Sequence, residues 1–286
     1  MLVTPARNER EFIQVTLDSV VAQTVTPEMW VIVSDNSVDG TDDVVRSFAA
    51  KHPFIRLCRN DERTDRNTAA KVNAINMGIE ALAETDYAYI GNVDADVSFG
   101  ESYFETLIER FESDGGLGVI GGRIFQMDAR GQAVEMKTNP ESVAGATQFF
   151  RRECFDQIGG YRPIAGGMED GIAEITARYH GWKTRSYGDL PVVHHRELGT
   201  VGRSVYRARF SSGVTEYVVG FGFAYHLVRA LSRVFEKPYV IGTMLILAGY
   251  VWALISRQTR AVPDEMVRFI RREQMSRLGS RLGRRK

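Results

Sequence analysis

Two carboxylates stand close together at the end of an apolar run. The run over residues 87–93 leads into "NVDADV", which places Asp94 and Asp96 two positions apart. Side chains at i and i+2 of a strand point to the same side, where like charges disfavour ionisation of both groups. A bound cation would let both carboxylates stay charged, whereas the alternative is an Asp-rich turn at a strand end. The spacing therefore suggests the hypothesis of a metal site, which needs support from other residues.

Two further polar clusters follow apolar runs earlier in the chain. "TPARNE" (4–9) closes the first run, and "SDNS" (34–37) closes the run "MWVIV". Short runs that alternate with amphipathic stretches predict an α/β fold, with a mostly parallel sheet covered by helices on both faces. Ligands bind beyond the carboxyl ends of the strands in such sheets. We therefore expect both clusters to converge with Asp94 and Asp96 on one edge.

The apolar pattern also predicts where individual elements begin. Asn8 and Glu11 have the spacing of a capping box that opens the first helix, and Thr41 begins the second. Residues 69–82 form a third helix, and "GVIGGRIFQ" from Gly118 forms a later strand. Residues 145–184 are predicted to run as a helix, a glycine-rich loop and a second helix that starts near "MED" (168–170).

Composition places the chain among ordinary globular proteins. Its 286 residues are 44% hydrophobic and 25% charged, with a formal net charge of zero. From Arg257 onward, however, ten Arg and Lys stand against three acids, which favours an anionic partner or simple solubility. Cys58 and Cys154 have no metal or redox spacing and indicate free thiols in a reducing cytosol. The N-terminus has no apolar signal-peptide region, so we expect the front of the protein in the cytoplasm.

The last third of the chain changes character near Ser204. Residues 213–231 are apolar and aromatic but contain Glu216 and His226, whereas 239–256 carry no charge. A helix of about 17 residues is about 25 Å long, slightly short of a hydrocarbon core of ~30 Å. A buried core helix is the alternative, but the flanking aromatic and basic residues favour membrane contact, either spanning or re-entrant. We predict one domain over 1–204 and a helical, membrane-associated region with a basic tail over 205–286.

Five short motifs occur in the order known from one enzyme family. They are "TPARNE", "VSDNSVDGT", "KVNAINMGI", "DAD" and "MED". With them, about residues 2–200 resemble the family 2 glycosyltransferases of the GT-A fold, a Rossmann-like, mostly parallel sheet with helices on both faces. Ser34 departs from the family pattern, which usually has an acid there.

The resemblance implies a role for particular residues. Asp35 would recognise the base, Asp96 would bind the metal directly and Asp170 would be the catalytic base. The remaining nucleotide-sugar contacts would be Pro5, Arg7, Glu9, Lys71, Asn76 and Asp94, with Arg66 as a further phosphate contact. His194, rather than His195, is the preferred additional metal ligand. On the acceptor side, Glu169 would either orient the acceptor or cap the helix. Trp182 and Arg178 would either frame the acceptor or simply pack.

The implied reaction is transfer of one sugar, with inversion, from a nucleotide-sugar donor to a saccharide or lipid-linked acceptor of the cell envelope. It would need a divalent cation, Mg²⁺ or Mn²⁺, because carboxylate oxygens suit such hard ions. The partners expected are the donor, the acceptor and a membrane surface, with no nucleic acid. The expected location is the cytoplasmic face of the cell membrane.

Three alternative functions would each require a different sequence feature. A nucleotidyltransferase acting on sugar phosphates would show a glycine-rich loop after the first strand, and "TPARNE" has no glycine. A non-catalytic membrane scaffold of the same fold would be favoured by loss of Asp96 or Asp170, and both are present. A processive polymerase would show a Q-x-x-R-W element, which is not evident.

Overall fold

The computed structural model describes residues 1–61, 69–82, 85–127, 132–136, 138–164, 166–196 and 204–283. The chain divides into two compact units. The first, the α/β unit, comprises Met1–Pro163 and Glu169–Glu197. The second, the helical unit, comprises Ile164–Met168 and Leu198–Lys286. The division into functional domains at residue 204 remains a prediction. The α/β class of the first unit is confirmed.

A single sheet of nine described strands forms the centre of the α/β unit. The strands are β1 (Leu2–Ala6), β2 (Trp30–Asp35), β3 (Ile55–Asn60), β4 (Tyr89–Val93), β5 (Val97–Phe99), β6 (Leu117–Met127), β7 (Ala133–Glu135), β8 (Thr147–Arg151) and β9 (Lys183–His194). Their order is β3-β2-β1-β4-β8-β6-β9-β5, and β7 pairs with β6. Strands β3, β2, β1 and β4 are parallel, as predicted.

Six described helices cover this sheet. They are α1 (Ile13–Val21), α2 (Thr41–Ala49), α3 (Ala69–Glu80), α4 (Tyr103–Ser113), α5 (Arg152–Ile158) and α6 (Glu169–Tyr179). Successive side chains of β2 point to opposite faces of the sheet, and both faces are buried. Trp30 and Ile32 pack in a core with α1 and α4. Val31 and Val33 pack in a second core with α3 and α5. A strand buried on both faces must be apolar throughout, which is why "WVIV" has no polar residue.

Two local predictions are wrong. Helix α1 begins at Ile13, and the Asn8 side chain accepts a hydrogen bond from Val38 N–H (3.0 Å) instead of capping it. Residues 147–151 form strand β8 before α5 begins, so the sequence predicted as one helix is a strand and a short helix. Strand β8 lies antiparallel to β4 and β6, which makes the sheet mixed.

The helical unit contains α7 (Val205–Val219), α8 (Phe223–Ser232), α9 (Tyr239–Ile255) and α10 (Asp264–Gly283) among its described residues. Gly220, at a φ of +102°, separates α7 from α8, so residues 213–231 are not one helix. The predicted apolar helix over 239–255 is confirmed as α9. Across the part of the chain that the structure describes, we find no helix with the length and apolar character needed to cross a bilayer.

Candidate active site

Asp94 and Asp96 lie where β4 ends, and β9 brings a histidine beside them. Val97 of β5 pairs with His194, and His195 N–H donates to the Asp96 carbonyl (2.9 Å). One ligand atom each from Asp94, Asp96 and His194 lie within 4.8 Å of one another. The His194 Nε2 atom is 3.5 Å from Asp96 Oδ1. The sheet therefore joins a carboxylate pair to an imidazole from a residue about 100 positions later.

The hydrogen bonds distinguish the two neighbouring histidines. The His194 Nδ1 atom is 2.7 Å from the Arg196 carbonyl, which can only accept, so Nδ1 carries a proton and Nε2 is the ring nitrogen that faces the carboxylates. The His195 Nε2 atom instead pairs with Ser98 Oγ (2.7 Å). Adjacent strand residues point to opposite sides, so only His194 faces the carboxylates. The preference for His194 agrees with this geometry.

These three residues fit a divalent cation. Two carboxylates and an imidazole whose ring orientation is fixed by a hydrogen bond form a ligand set typical of Mn²⁺ and related ions. Burial, and then the charge of Asp94, raise the pKa of Asp96, so the carboxylate pair is electrostatically unfavourable without a cation. Asp94, Asp96 and His194 would hold the ion.

Lys71 lies beside the first of these carboxylates. Its Nζ atom is 2.6 Å from Asp94 Oδ1 and donates to Oδ2 (2.8 Å). Desolvation acts to lower the pKa of Lys71, but the charges of Asp94, Glu169 and Asp170 prevail and raise it. Lys71 therefore stays charged and links the carboxylate pair to the acids that open α6.

Asp170 is held by backbone groups in the first turn of α6. Its Oδ2 accepts from Gly145 N–H (3.1 Å) and its Oδ1 accepts from Gly171 N–H (2.8 Å). A Cβ atom on Gly145 would lie 2.7 Å from Asp170 Oδ2, so the loop must have glycine there to approach this carboxylate. Asn92 donates to the Gly145 carbonyl (2.5 Å) and fixes the loop in turn. The result is an acid with a defined orientation.

The segment that positions Asp170 is also tied to the carboxylate pair. Asp94 N–H donates to the Ala146 carbonyl (2.9 Å), one residue from the Gly145 that contacts Asp170. Glu174, one turn after Asp170, accepts from Val143 N–H (2.5 Å), and burial raises its pKa to about 8. Asp170 and Glu174 therefore both contact the 143–146 loop.

Glu169, next to Asp170, is a partly buried acid. Burial raises its pKa, and its Oε2 has no hydrogen-bond partner among the described residues. A carboxyl oxygen that is buried and unpaired at the edge of the site is available for a ligand. This placement is compatible with the predicted acceptor-side role.

A second cluster lies at the ends of β1, β2 and β3. Asp35 is buried, its Oδ2 is 3.5 Å from an Arg7 guanidinium nitrogen, and its Oδ1 accepts from Asn60 Nδ2 (3.0 Å). Pro5 lies on β1 directly opposite Val33 of β2. The convergence of strand ends, predicted from the alternation of elements, is observed here.

Glu9 connects the two clusters. Its carboxylate pairs with Arg196, whose Nε is 3.3 Å from Asp96 Oδ2. Burial raises the pKa of Glu9 to about 7, against the opposing effect of Arg196. A single guanidinium thus contacts an acid from "TPARNE" and an acid from "DAD".

Some predicted residues lie elsewhere. Asn76 donates to the Tyr161 carbonyl (3.5 Å), a contact between α3 and the segment after α5. Trp182 follows the far end of α6 from Asp170, and its Nε1 donates to Gln157 (2.7 Å), so it lies apart from Asp170 and its acceptor-side role stays a prediction. Arg178 donates to Thr184 Oγ1 (3.0 Å). Arg66 falls outside the described residues.

Sequence reasoning missed Arg196, Asn60 and Gly145. Asn60 ends β3, so the rule that placed Asp35 at the end of β2 could have found it. Arg196 comes two residues after His194, but no sequence signal shows which carboxylates a loop arginine reaches. Gly145 could not be found, because its role depends on its approach to Asp170.

Comparison with known proteins identifies the family that has this arrangement. The model of the glycosyl transferase family 2 matches residues 1–174, more than half of the chain, and ends just after Asp170. The chain belongs to glycosyl transferase family 2. It is therefore a glycosyltransferase, as the motifs implied.

Curated relatives match a shorter stretch of the enzyme. Poly-beta-1,6-N-acetyl-D-glucosamine synthases of Staphylococcus aureus (strain COL) and Staphylococcus epidermidis are 30% identical to it over 115 residues. That stretch covers 40% of this chain and 26% of each synthase. The chain therefore matches about a quarter of the length of these relatives.

Solved structures share the fold over most of the chain. A Pyrobaculum calidifontis mannosyltransferase in complex with GDP-Man and Mn²⁺ aligns with a TM-score of 0.55 at 17% identity, covering 89% of this chain and 74% of that one. Residues 1–349 of S. aureus TarS, in complex with UDP-GlcNAc, align with a TM-score of 0.55 at 14% identity, covering 89% and 72%. At these identities the likeness shows the fold alone, and it agrees with GT-A.

Proposed function

We propose that this enzyme transfers one sugar, with inversion at the anomeric carbon, from a nucleotide-sugar donor to an acceptor hydroxyl. Asp94, Asp96 and His194 would hold the divalent cation, and Asp170 would be the catalytic base. The observation that carries the proposal is the 143–146 loop, because its Ala146 contacts Asp94 and its neighbour Gly145 contacts Asp170. One short segment thus fixes a metal-type carboxylate and a candidate base side by side.

Each group would have a distinct role in the displacement. Asp170 would take the proton of the acceptor hydroxyl as its oxygen bonds to the anomeric carbon. The bond from that carbon to the diphosphate oxygen would break, and its electron pair would leave with the nucleoside diphosphate. A bound Mg²⁺ or Mn²⁺ would neutralise charge on the diphosphate. Asp170 is the one base assigned and no side chain is assigned as a nucleophile, so a single displacement with inversion follows by analogy with inverting hydrolysis.

Donor recognition is proposed at the ends of the first three strands. Asp35 is buried and offers carboxylate oxygens to the N–H groups of a base, with Arg7 and Asn60 orienting it. Pro5 and Glu9 belong to the adjoining strand and turn, and Lys71 is a cation near the place proposed for the diphosphate. Asn76 would act indirectly, through the position of α3.

The acceptor class is proposed from the relatives and from the end of the chain. The relatives are named for a polysaccharide, which supports a saccharide acceptor of the cell envelope. The apolar helix α9 supports a lipid-linked acceptor and action at the cytoplasmic face of the cell membrane. Transfer of one sugar rather than many rests on the missing Q-x-x-R-W element.

The proposal is tested by incubating the enzyme and Mn²⁺ with a panel of nucleotide sugars and acceptors, and measuring nucleoside diphosphate release. Asp170→Asn keeps the size of the side chain but cannot take a proton, so turnover is expected to fall by ~10²-fold or more. Nucleotide affinity should change little. Asp156→Asn, an exposed acid on α5, is the matched control and should keep full activity.

Two results would contradict the assignment. If Asp170→Asn lost nucleotide binding as well, Asp170 would belong to the donor site. If the enzyme instead converted the nucleotide sugar and added pyrophosphate into a nucleoside triphosphate and a sugar phosphate, it would be a nucleotidyltransferase.

A further inference from the structure

One side of helix α9 is exposed and entirely apolar. At 100° per residue, the exposed side chains from Val240 to Ile255 fall within an arc of about 160° around the helix axis. We call this arc the α9 outer face. It comprises Val240, Ile241, Met244, Ala248, Val251, Trp252, Leu254 and Ile255. A surface helix of a globular protein usually presents polar side chains to solvent, so this face lacks the covering that its composition requires.

The small and polar residues of α9 lie on its other side. Gly249 packs against the Phe210 carbonyl of α7, and Gly213 of α7 packs against the Ile246 carbonyl of α9. This close contact buries Ile246 and Tyr250 of α9 together with the two glycines, and it directs the remaining large apolar side chains to the outer face. The orientation of α9 is therefore fixed by its packing, and the outer face cannot turn inward.

Charge is divided very unevenly along the chain. Residues 204–286 contain 15 Arg and Lys and five Asp and Glu, a formal charge of +10, so residues 1–203 carry −10 in a neutral chain. Exposed Lys237 and Arg257 flank α9 at its two ends. Glu236 is the acid next to it, and Arg209 neutralises it at 2.9 Å. The surroundings of the outer face thus match an anionic surface.

We propose that the α9 outer face docks on an anionic lipid membrane, with the helix parallel to the surface. Phe235, 87% exposed beside the start of α9, would enter the headgroup region with Trp252. Lys237 and Arg257 would contact lipid phosphates at either end. This inference gives a surface to the proposed location, and it does not depend on the reaction, because binding is measured without turnover.

Other occupants fit the observations less well. A symmetric dimer through the outer face would bring together two segments of charge +10, which repel each other. A nucleic acid would satisfy the positive charge but would leave the apolar arc uncovered. A lipid surface satisfies both features at once.

The test is sedimentation of the full chain with anionic phosphatidylglycerol vesicles and with neutral phosphatidylcholine vesicles. We expect strong partition to the anionic vesicles only. The triple variant Ile241→Gln, Met244→Gln, Ile255→Gln should partition about a hundred-fold less, because three apolar side chains no longer enter the interface. Lys237→Gln with Arg257→Gln should weaken binding to anionic vesicles about ten-fold.

A matched pair of single variants controls for surface hydrophobicity in general. Ile255→Gln removes a side chain that is 75% exposed on the outer face, and Val134→Gln removes one that is 53% exposed on β7. Only Ile255→Gln should reduce partition. Brominated lipids should quench Trp252, so the quenching seen in the wild type should be reduced in Trp252→Phe.

Specific outcomes would overturn the proposal. Equal partition of the triple variant and the wild type would show that another surface binds lipid. A wild-type dimer that the triple variant makes monomeric, by light scattering, would identify the face as an interface between copies. Displacement of the protein from vesicles by RNA, with the triple variant still bound to that RNA, would identify a nucleic-acid surface.

Discussion

The two units of this glycosyltransferase distribute polar and apolar residues in opposite ways. In the α/β unit, large side chains such as Trp30 and Phe111 are buried, and the acids gather at the carboxyl ends of the strands. In the helical unit, Glu216 and His226 are buried, whereas Met244, Trp252 and Ile255 of α9 are exposed. The first unit thus buries its apolar side chains and gathers acids at one edge of its sheet. The second buries a polar pair and leaves an apolar helix face exposed.

A buried hydrogen-bonded pair explains why an acid and a histidine occur in an apolar stretch. The His226 Nδ1 atom is 2.6 Å from Glu216 Oε2, and Arg229 lies 3.3 Å from the other carboxylate oxygen. The His226 ring stacks on Tyr250 of α9, with centroids 4.2 Å apart. Glu216 and His226, which a lipid-facing helix would tolerate poorly, instead pair with each other between helices α7, α8 and α9.

The largest effect is expected at the polar edge of the α/β unit. Asp96→Ala removes a proposed metal ligand, so sugar transfer should fall below detection and Mn²⁺ binding, measured by calorimetry, should be lost. Because burial and Asp94 raise the pKa of Asp96, its removal should not lower the melting temperature. Asp189→Ala, an exposed acid, is the control and should leave both activity and Mn²⁺ binding intact. Full activity of Asp96→Ala, or of the wild type in excess chelator, would exclude the metal site.

Predictions from the sequence succeeded where the local pattern of apolar residues determined the secondary structure. The alternation of strands and helices placed Asp35 and Asp94 at strand ends, and the apolar run 239–255 was a helix. Such predictions failed where distant pairing decided the structure. Strand β8 contains "QFFR", which has no period of its own and becomes a strand because β4 and β6 flank it. Asn8 lost its predicted capping role because the 36–40 turn offers it Val38 N–H.

The helical unit could be predicted in its elements but not in its faces. Residues 239–255 are apolar on all sides, so hydrophobic periodicity cannot show which side is buried. The choice is made by Gly213 and Gly249, whose missing side chains let α7 and α9 touch. The exposure of an apolar face in the helical unit is thus a consequence of helix packing, which cannot be predicted from the sequence pattern.

The second largest effect is expected from the buried pair of the helical unit. Glu216→Ala leaves His226 and part of Arg229 without their partner, so the free energy of unfolding should fall by about 3 kcal/mol or more. The double variant Glu216→Met, His226→Phe keeps the volume and the stack on Tyr250, and should recover most of that loss. Urea unfolding followed by circular dichroism measures both. A double variant as unstable as Glu216→Ala would show that the pair is needed for more than mutual neutralisation.

A pH-dependent effect is expected in the α/β unit, where Glu174 is buried. Its folded-state pKa, about 8, lies above its ordinary value of 4.5 because of desolvation, with Arg178 opposing. The folded protein therefore keeps a proton between those values that the unfolded chain releases. The stabilisation contributed by this bound proton is fully present below pH 4.5, and it is lost as the pH rises through 8. We expect the unfolding free energy of the wild type to decline over this range by a few kcal/mol relative to Glu174→Gln. Parallel pH profiles of the two proteins would contradict a raised pKa.

The smallest effect is expected from a substitution of Trp182. It tests whether a residue far from the polar edge of the sheet contributes to packing alone and not to catalysis. Trp182 lies beyond the end of α6 opposite to Asp170, a helix of 11 residues that is about 16 Å long. Its indole N–H donates to Gln157, and its ring packs near Gly118 and Cys154. Trp182→Phe removes one hydrogen bond and keeps most of the ring, so stability should fall by about 1 kcal/mol with kcat and the acceptor KM unchanged within two-fold. Glu169→Gln is the comparison at the near end of α6, where an acceptor contact predicts a raised acceptor KM. A raised acceptor KM in Trp182→Phe would instead restore Trp182 to the acceptor side and show that the acceptor extends along the whole of α6.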